Sequence, residues 1–449
     1  MIEAIDCQSF AGAFTLGMAQ AGFNVVSKAE EPGGFGVPLL EHNKDLINPD
    51  IEIQVGEAEW WEPRRVPVVF GNPPCSGFSG LSSAASRGFS FAGTENHANI
   101  NECMWRLVRY AARCQAEVVI MESVQAAYKK GRELMQALRA EMERLTGQRY
   151  DLTHVLQNSA SVGGASIRKR YFMVLSRRGL RFGIEPPVVA HVPVLEELIG
   201  DLYGQVLSED PQPYTEPAEE VTDDRGYGVA YRNPFGLVDG HDVLKNSMTA
   251  GKAYLAEMGW RPGERSGDAF KRLTPEQITG SPLVHRQVEG EDGEMVDFVA
   301  SRYRSTYAFA PVRLYPHKAA PVVTGTGCND LVHPVLPRTI TFREAARIMG
   351  WPDEWSLQPI FEGRPGDTQK WLGKGITVQV GKWIGDWVSE TLHDNPGRWR
   401  GVPIGEAEWL IDVTNDHKRV YNERTGEAVD SRSRVLVKEM EARLEEVAA

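Results

Sequence analysis

The sequence predicts an α/β fold: a doubly wound, mostly parallel sheet with helices on both faces, joined to a smaller irregular domain. Two observations carry that expectation. Over roughly the first 180 residues, short runs rich in β-branched residues alternate with segments whose apolar residues recur at helical spacing. From Glu185 to Lys318 the rhythm is lost, and proline, glycine and acidic residues punctuate the chain. Strand–helix alternation favours parallel pairing, because each crossover helix covers a face of the sheet.

The elements follow in order. Ile2–Asp6, Phe23–Ala29, Val66–Phe70, Glu117–Met121 and Tyr171–Ser176 are the expected strands. Asn101–Cys114 is an expected helix, and so is Glu133–Leu145, where Leu134, Leu138, Met142 and Leu145 form one stripe and Gly147 is a stop signal. Order returns at Pro337–Trp355, where Thr341 can cap a helix and Glu344 sits three residues on, as a capping box requires. A further amphipathic helix is expected over Thr377–Leu392, then a small hairpin over Arg419–Val429 and a charged helix from about Ser431. The domain division is 1–184, 185–318 (the irregular domain), 319–394 (a return to the first domain) and 395–449 (a hairpin and helix extension). The pentapeptide GEAEW occurs at Gly56–Trp60 and again at Gly405–Trp409, and we read the repeat as chance.

Composition narrows the function class. In 449 residues, 42% are hydrophobic and 24% charged, the balance of an ordinary soluble protein of more than one domain. No apolar run approaches a membrane span, and the opening residues carry no basic signal region, so a cytoplasmic protein with no membrane partner is expected. Cys7, Cys75, Cys103, Cys114 and Cys328 form no C-x-x-C pair, which argues against a metal site or a disulfide framework. The net charge of −12 does not exclude a nucleic-acid partner. Phosphate contacts depend on local clusters such as Ser166–Phe172 and Ser176–Arg181, while the acidic excess lies in Thr215–Asp224 and the C-terminal segment.

Three features mark strand ends in the first domain. Cys75 follows "VPVVFGNPP" on a loop of prolines, glycines and serines, which presents a thiol rather than burying it. Glu122 follows "VVIM", and Arg168 and Arg170 lead into "YFMVLS". A doubly wound sheet brings the first two to one edge, within reach of the arginines. Nucleophile, carboxylic acid and guanidinium together suit covalent catalysis on a heteroaromatic ring.

"IDCQSFAGAFTLGMAQAGF", "PPCSGFS", "ESV", "SIRKR" and "TFREAARIMGWPDEW" stand in the order and spacing of the DNA (cytosine-5) methyltransferases, and the chain most resembles their bacteriophage-encoded members. The resemblance covers roughly residues 1–180 and 315–390. It implies a cytosine rotated out of double-stranded DNA, attack of Cys75 on C6, a protonated Glu122 at N3, and Arg170 with Arg168 at O2. Carbon 5 then takes the group of an S-adenosylmethionine-type sulfonium. It also implies a cofactor site of Phe10, Ala11, Gly12, Glu30, Glu57, Asn72, Pro74 and Lys374, no metal, a monomer, and the host cytoplasm if the gene is a phage's.

The chain departs from the family in its cofactor motifs. Gln8 stands where the family has its adenine-stacking phenylalanine, Phe10 where it has a glycine, and Ala13 in place of another, while Gly12 is kept. Glu30 matches the acid for the ribose hydroxyls, and Glu57 falls near the position that contacts the adenine amine. Lys374 replaces the asparagine beside the transferred carbon. An ammonium next to a sulfonium is repelled, and an anion between them relieves the clash. The readings are therefore methyl transfer from S-adenosylmethionine, carboxymethyl transfer from carboxy-S-adenosylmethionine with Lys374 holding the carboxylate, or a catalytically inactive DNA-binding module. Ser123 and Ser76 replace an asparagine and a glutamine that brace the catalytic loop. An RNA substrate is the nearest rival to duplex DNA; a nicotinamide enzyme is discounted for want of G-x-G-x-x-G.

Overall fold

The computed structural model describes residues 1–31, 36–56, 60–74, 78, 95–178, 192–202, 236–238, 241–243, 250–289, 294–299, 304, 311–324, 331–335, 339–362, 370–393 and 402–414. The chain divides into two units, one of Met1–Val192 with the segment from Gly375 onward, the other Pro193–Lys374.

The first unit is built on a nine-stranded sheet. Its strands are β1 (Ile2–Cys7), β2 (Phe23–Glu30), β3 (Glu52–Val55), β4 (Val68–Gly71), β5 (Val118–Val124), β6 (Tyr150–Asn158), β7 (Lys169–Arg177), β8 (Val402–Gly405) and β9 (Glu408–Val413). The order across the sheet is β8-β9-β6-β7-β5-β4-β1-β2-β3. β7 runs antiparallel to β5 and β6, and β8 to β9; the other pairs are parallel. The doubly wound, mostly parallel sheet is as expected. Strand order reverses between β1 and β4, which opens a crevice at their carboxyl ends.

Both faces are covered, so most strands are buried on both sides. Ile5, Val69, Val119, Met121, Tyr171 and Met173 pack with Met104 and Leu107 of the helix Glu95–Arg113 and with Leu138 and Met142 of the helix Arg132–Thr146. Ala4, Val25, Val68, Ile120, Phe172 and Val174 pack with α1 (Ala13–Gln20) and the helix Val378–Leu392. These two helices cross at glycines. A β-carbon on Gly17 would lie 2.6 Å from the Gly381 Cα, so only hydrogen fits. Gly71 is required for the same reason: a β-carbon there would meet the Cys7 carbonyl oxygen at 1.9 Å.

The expected strands and helices of the first domain are present, with ends shifted by a few residues. α1, β3 and β6 were not expected. β6 carries Asp151, Thr153, His154 and Gln157 among its apolar residues, which hides its strand pattern. The β8–β9 hairpin was also unexpected. Its turn falls within the second GEAEW, where Ala407 takes a left-handed φ of 57°. The hairpin expected at Arg419–Val429 and the helix from Ser431 lie outside the described residues.

The second unit holds short two-stranded pairings, Gly236–Val238 with His241–Val243, Val284–Glu289 with Met295–Val299, and Val312–Arg313 with Leu331–Val332. Leu255, Trp260, Ala269, Leu283, Val299 and Val332 form a core there. The capping box at Phe342–Ile348 is as expected: the Glu344 amide donates to Thr341 Oγ1 at 3.1 Å, and the Thr341 amide to Glu344 Oε2 at 2.8 Å. Among the described residues no helix is long and apolar enough to cross a membrane. None of their His, Cys, Asp and Glu side chains cluster as metal ligands.

Candidate active site

β4 and β5 end at one edge of the sheet, where antiparallel β7 begins. Glu122 stands opposite Phe172, and Val124 opposite Arg170, so Glu122 and Arg170 share a face at adjacent rungs. Arg170 Nε lies 2.7 Å from Glu122 Oε1. Asn72, just past β4, donates from Nδ2 to Glu122 Oε2 at 2.7 Å. Glu122 is only 2% exposed; Oε2 accepts the Asn72 hydrogen bond, and Oε1 meets Arg170 as an ion pair without a hydrogen bond. A guanidinium and a carboxamide thus orient one buried carboxyl at the edge where the loop after β4 departs.

That loop carries Cys75, which lies outside the described residues with Ser76 and Gly77. The chain is anchored on both sides of it. Asn72 donates its amide to the Cys7 carbonyl at 3.3 Å, and Phe78 is fully buried in the core. Of the described cysteines, Cys7 and Cys114 are core residues whose thiols burial pushes up, and burial pushes Cys103 up to about 11. None of the three has the lowered thiol pKa of a nucleophile at neutral pH.

Arg168 binds the chain's return segment. Its Nε and Nη2 both donate to the Gly375 carbonyl, at 2.9 and 2.6 Å, and its side chain is buried. Ser159 Oγ and Thr377 Oγ1 meet at 2.7 Å close by in sequence, so two polar links hold the segment that enters the helix Val378–Leu392.

The carboxyl ends of β1 and β2, beside the crevice, are polar. Thr15 donates to Asp6 Oδ2 at 2.5 Å, and Lys28 Nζ lies 3.3 Å from the same oxygen and 3.6 Å from Glu30 Oε2. Asp6 and Lys28 are fully buried. Burial pushes the Glu30 carboxyl up to about 7, against the opposing pull of the Lys28 ammonium. Gln8 Oε1, Ser9 Oγ and Glu30 Oε2 are buried without a hydrogen bond. Orphaned oxygens at the ends of β1 and β2 suit a ligand that brings hydroxyl donors.

The loop after β1 holds Gln8, Phe10 and Gly12 at left-handed φ values of 59°, 52° and 94°. Phe10 therefore keeps a backbone conformation that favours glycine. Its Cδ2 lies 3.5 Å from where a Gly375 β-carbon would stand, so the ring faces the same segment that Arg168 holds. Ala11 is buried against Gly36. Pro74 is half-buried, Lys374 is exposed, and Glu57 lies outside the described residues.

Sequence reasoning thus named Glu122, Arg170 and Asn72, which the fold brings together, although it placed Asn72 with the cofactor. It missed the Asp6–Lys28–Thr15 network. The available signal was a lysine near the end of the buried strand "FNVVSKA".

The profile of the C-5 cytosine-specific DNA methylases matches residues 2–390. The chain is 24% identical over 385 residues to the type II methyltransferase M.DdeI of Desulfomicrobium norvegicum, covering 81% of this chain and 80% of that protein. It is 22% identical over 429 residues to the type II methyltransferase M.XorII of Xanthomonas oryzae pv. oryzae, covering 87% and 85%. A proposed DNA modification methyltransferase encoded within a prophage of E. coli has the same fold, with a TM-score of 0.54, 17% identity, and coverage of 88% of this chain and all of that one. With its sheet order, its buried acid and its motifs in register, the chain belongs to the C-5 cytosine-specific DNA methylases.

Proposed function

We propose that the chain alkylates carbon 5 of a cytosine rotated out of double-stranded DNA, by way of a covalent adduct on Cys75. The observation that carries this reading is the buried Glu122 held between Asn72 and Arg170, one strand from the loop that bears Cys75. The thiolate of Cys75 adds to C6, and Glu122 hydrogen-bonds N3. Arg170, already on the same face, takes the ring O2. Addition at C6 makes carbon 5 electron-rich; after transfer, loss of the C5 proton drives elimination of the thiolate and restores the ring. Asn72 holds Glu122 oriented throughout. Arg168, bound to the Gly375 carbonyl, positions the segment after Lys374. Residues 185–318 supply target recognition, with phosphate contacts fixing position and base-edge contacts fixing sequence.

S-adenosylmethionine fits the polar crevice. Glu30 would accept from its ribose hydroxyls, and Gln8, Phe10, Ala11 and Gly12 would form the wall beside it, with Glu57 and Pro74 near the adenine. Bound there, the cofactor supplies an electrophilic carbon on a sulfonium. Lys374 favours a second reading, in which the donor is carboxy-S-adenosylmethionine and the lysine ammonium holds its carboxylate, giving 5-carboxymethylcytosine. Lys374 is exposed and directly precedes Gly375, whose carbonyl Arg168 holds.

Incubation with duplex DNA and each cofactor, followed by nucleoside mass spectrometry, decides between the donors. A methyl increment alone refutes the carboxylate reading. Trapping on 5-fluorocytosine DNA tests the chemistry: an adduct that Cys75→Ala abolishes supports it. DNA binding with no adduct, whichever cofactor is supplied, marks an inactive DNA-binding module, and preference for transfer RNA over duplex DNA refutes the substrate.

A further inference from the structure

The C-terminal hairpin lies beyond residue 390, outside the family match, yet it is keyed into the catalytic sheet by a buried polar chain. β9 pairs in parallel with β6, with Glu408 opposite Leu152 and Leu410 opposite His154. Glu408, 5% exposed, receives Arg132 Nε at 3.0 Å on Oε1 and Arg132 Nη2 at 3.1 Å on Oε2. Its Oε1 also lies 2.7 Å from His154 Nε2, and His154 Nδ1 lies 2.7 Å from the Tyr171 hydroxyl. His154 and Tyr171 are both fully buried.

The protons can be placed. Burial lowers the His154 pKa, although Glu408 pulls the other way, so the imidazole is neutral and carries one N–H. Burial alone would raise Glu408, but hydrogen bonds from Arg132 and His154 hold it below the usual carboxylate range, so it only accepts. The imidazole proton therefore sits on Nε2 and points at Glu408. Nδ1 is left to accept from Tyr171, whose hydroxyl burial keeps protonated. Every polar atom in the chain from β9 to β7 has its partner.

Tyr171 follows Arg170 on β7 and stands opposite Ser123, which follows Glu122 on β5. Tyr128, from the short helix Ala126–Lys130 after β5, sets its ring against His154 at 5.3 Å and Tyr171 at 6.1 Å. The network thus grips both strands of the Glu122–Arg170 pair from the opposite face of the sheet.

We propose that Glu408 is a positioning residue for group transfer: through His154 and Tyr171 it fixes the start of β7, and with it the setting of Arg170 against Glu122. The inference rests on the transfer reading above. Without Glu408 the buried Nε2–H of His154 has no acceptor, and the imidazole must turn away from Tyr171 to find one.

The test compares Glu408→Ala, Glu408→Gln and Tyr171→Phe in the full chain, by single-turnover transfer at saturating DNA and cofactor, with DNA affinity and Tm measured alongside. Glu408→Ala is expected to slow turnover 10- to 100-fold with DNA Kd within twofold. Glu408→Gln, whose carboxamide oxygen still accepts from Nε2–H, recovers at least half of that loss on a logarithmic scale. Tyr171→Phe slows turnover 3- to 10-fold. Parental rates per folded molecule with a lowered Tm would show a purely structural hairpin and overturn the proposal. Where Glu408→Ala does not fold, the other two variants decide it alone. If the parent chain transfers nothing, the functional reading fails by itself, and amide exchange decides the network: protection of residues 169–174 should fall in Tyr171→Phe, and unchanged protection refutes the coupling.

Discussion

Replacing Arg170 by methionine leaves the Glu122 carboxyl, 2% exposed, with Asn72 as its remaining partner. Two unit charges about 4 Å apart attract by about 4 kcal/mol at an effective dielectric near 20. Desolvation offsets part of this, and the Arg170 side chain retains 15% exposure, so the change should fall at the low end of the roughly 3–5 kcal/mol seen when one partner of a buried pair is removed. Arg170→Met should therefore destabilise the first unit by about 3 kcal/mol. Glu122→Gln keeps the shape and loses the charge, at about 1–2 kcal/mol. If the two groups act on each other as their 2.7 Å contact requires, the double variant has no stranded carboxylate, and its cost is about 2–3 kcal/mol rather than the sum of the singles. Urea unfolding of the four proteins, followed by tryptophan fluorescence, measures the coupling. Single costs that add within about 0.5 kcal/mol would refute the pair as an energetic unit. All three variants should also lose transfer activity by a factor of about 10²–10⁴, since each removes a group expected at the ring.

Two further outcomes follow from the sheet and its crevice. Glu30 has a folded-state pKa of about 7 against 4.5 for the free side chain, so the folded protein binds the proton more tightly. Stability without cofactor should fall as pH rises from about 4.5 to 7, by about 3 kcal/mol in total, and Glu30→Gln should flatten that slope in urea titrations across the same range. Gly17→Ala should destabilise the first unit by about 2–3 kcal/mol, because its methyl group would enter the Gly381 backbone where the two helices cross; an unchanged Tm would show that the crossing has room.

The parts of the fold legible in sequence are those where one physical signal dominates. β1, β2, β4 and β5 are parallel strands buried on both faces, so they read as apolar runs, and the helix Arg132–Thr146 buries Leu134, Leu138 and Met142 as expected but leaves Leu145, in its last turn, exposed. β6 was hidden because it is a junction as well as a strand. His154 is there to meet Glu408, and Asn158 donates to the Thr414 carbonyl, partners 254 and 256 residues away that no local pattern records. The site divides in the same way. Glu122 and Arg170 stand in motifs with fixed spacing, and the antiparallel register of β5 and β7 converts that spacing into a contact. Arg168, two residues before Arg170 and so on the same side of its strand, binds a backbone carbonyl 207 residues on, and spacing alone gives both arginines one role.

Phe10 is where sequence and backbone conflict, and the conflict has a measurable consequence. A phenylalanine at φ 52° costs about 1–2 kcal/mol relative to glycine, which the family carries at this position. Phe10→Gly removes that strain, but returns about 0.5–1 kcal/mol as glycine's extra chain entropy and about 1 kcal/mol as lost burial of a partly buried ring. These contributions nearly cancel, so the variant should match the parent in stability within about 1 kcal/mol. Its place beside Gly375 suits the cofactor wall proposed for it. Calorimetric titration of Phe10→Gly with S-adenosylmethionine should show affinity weakened about tenfold, or about 1.4 kcal/mol, the size of one good aromatic contact. Equal or tighter binding would mean that the ring does not line the wall, and the left-handed phenylalanine would then be a strain with no ligand to offset it.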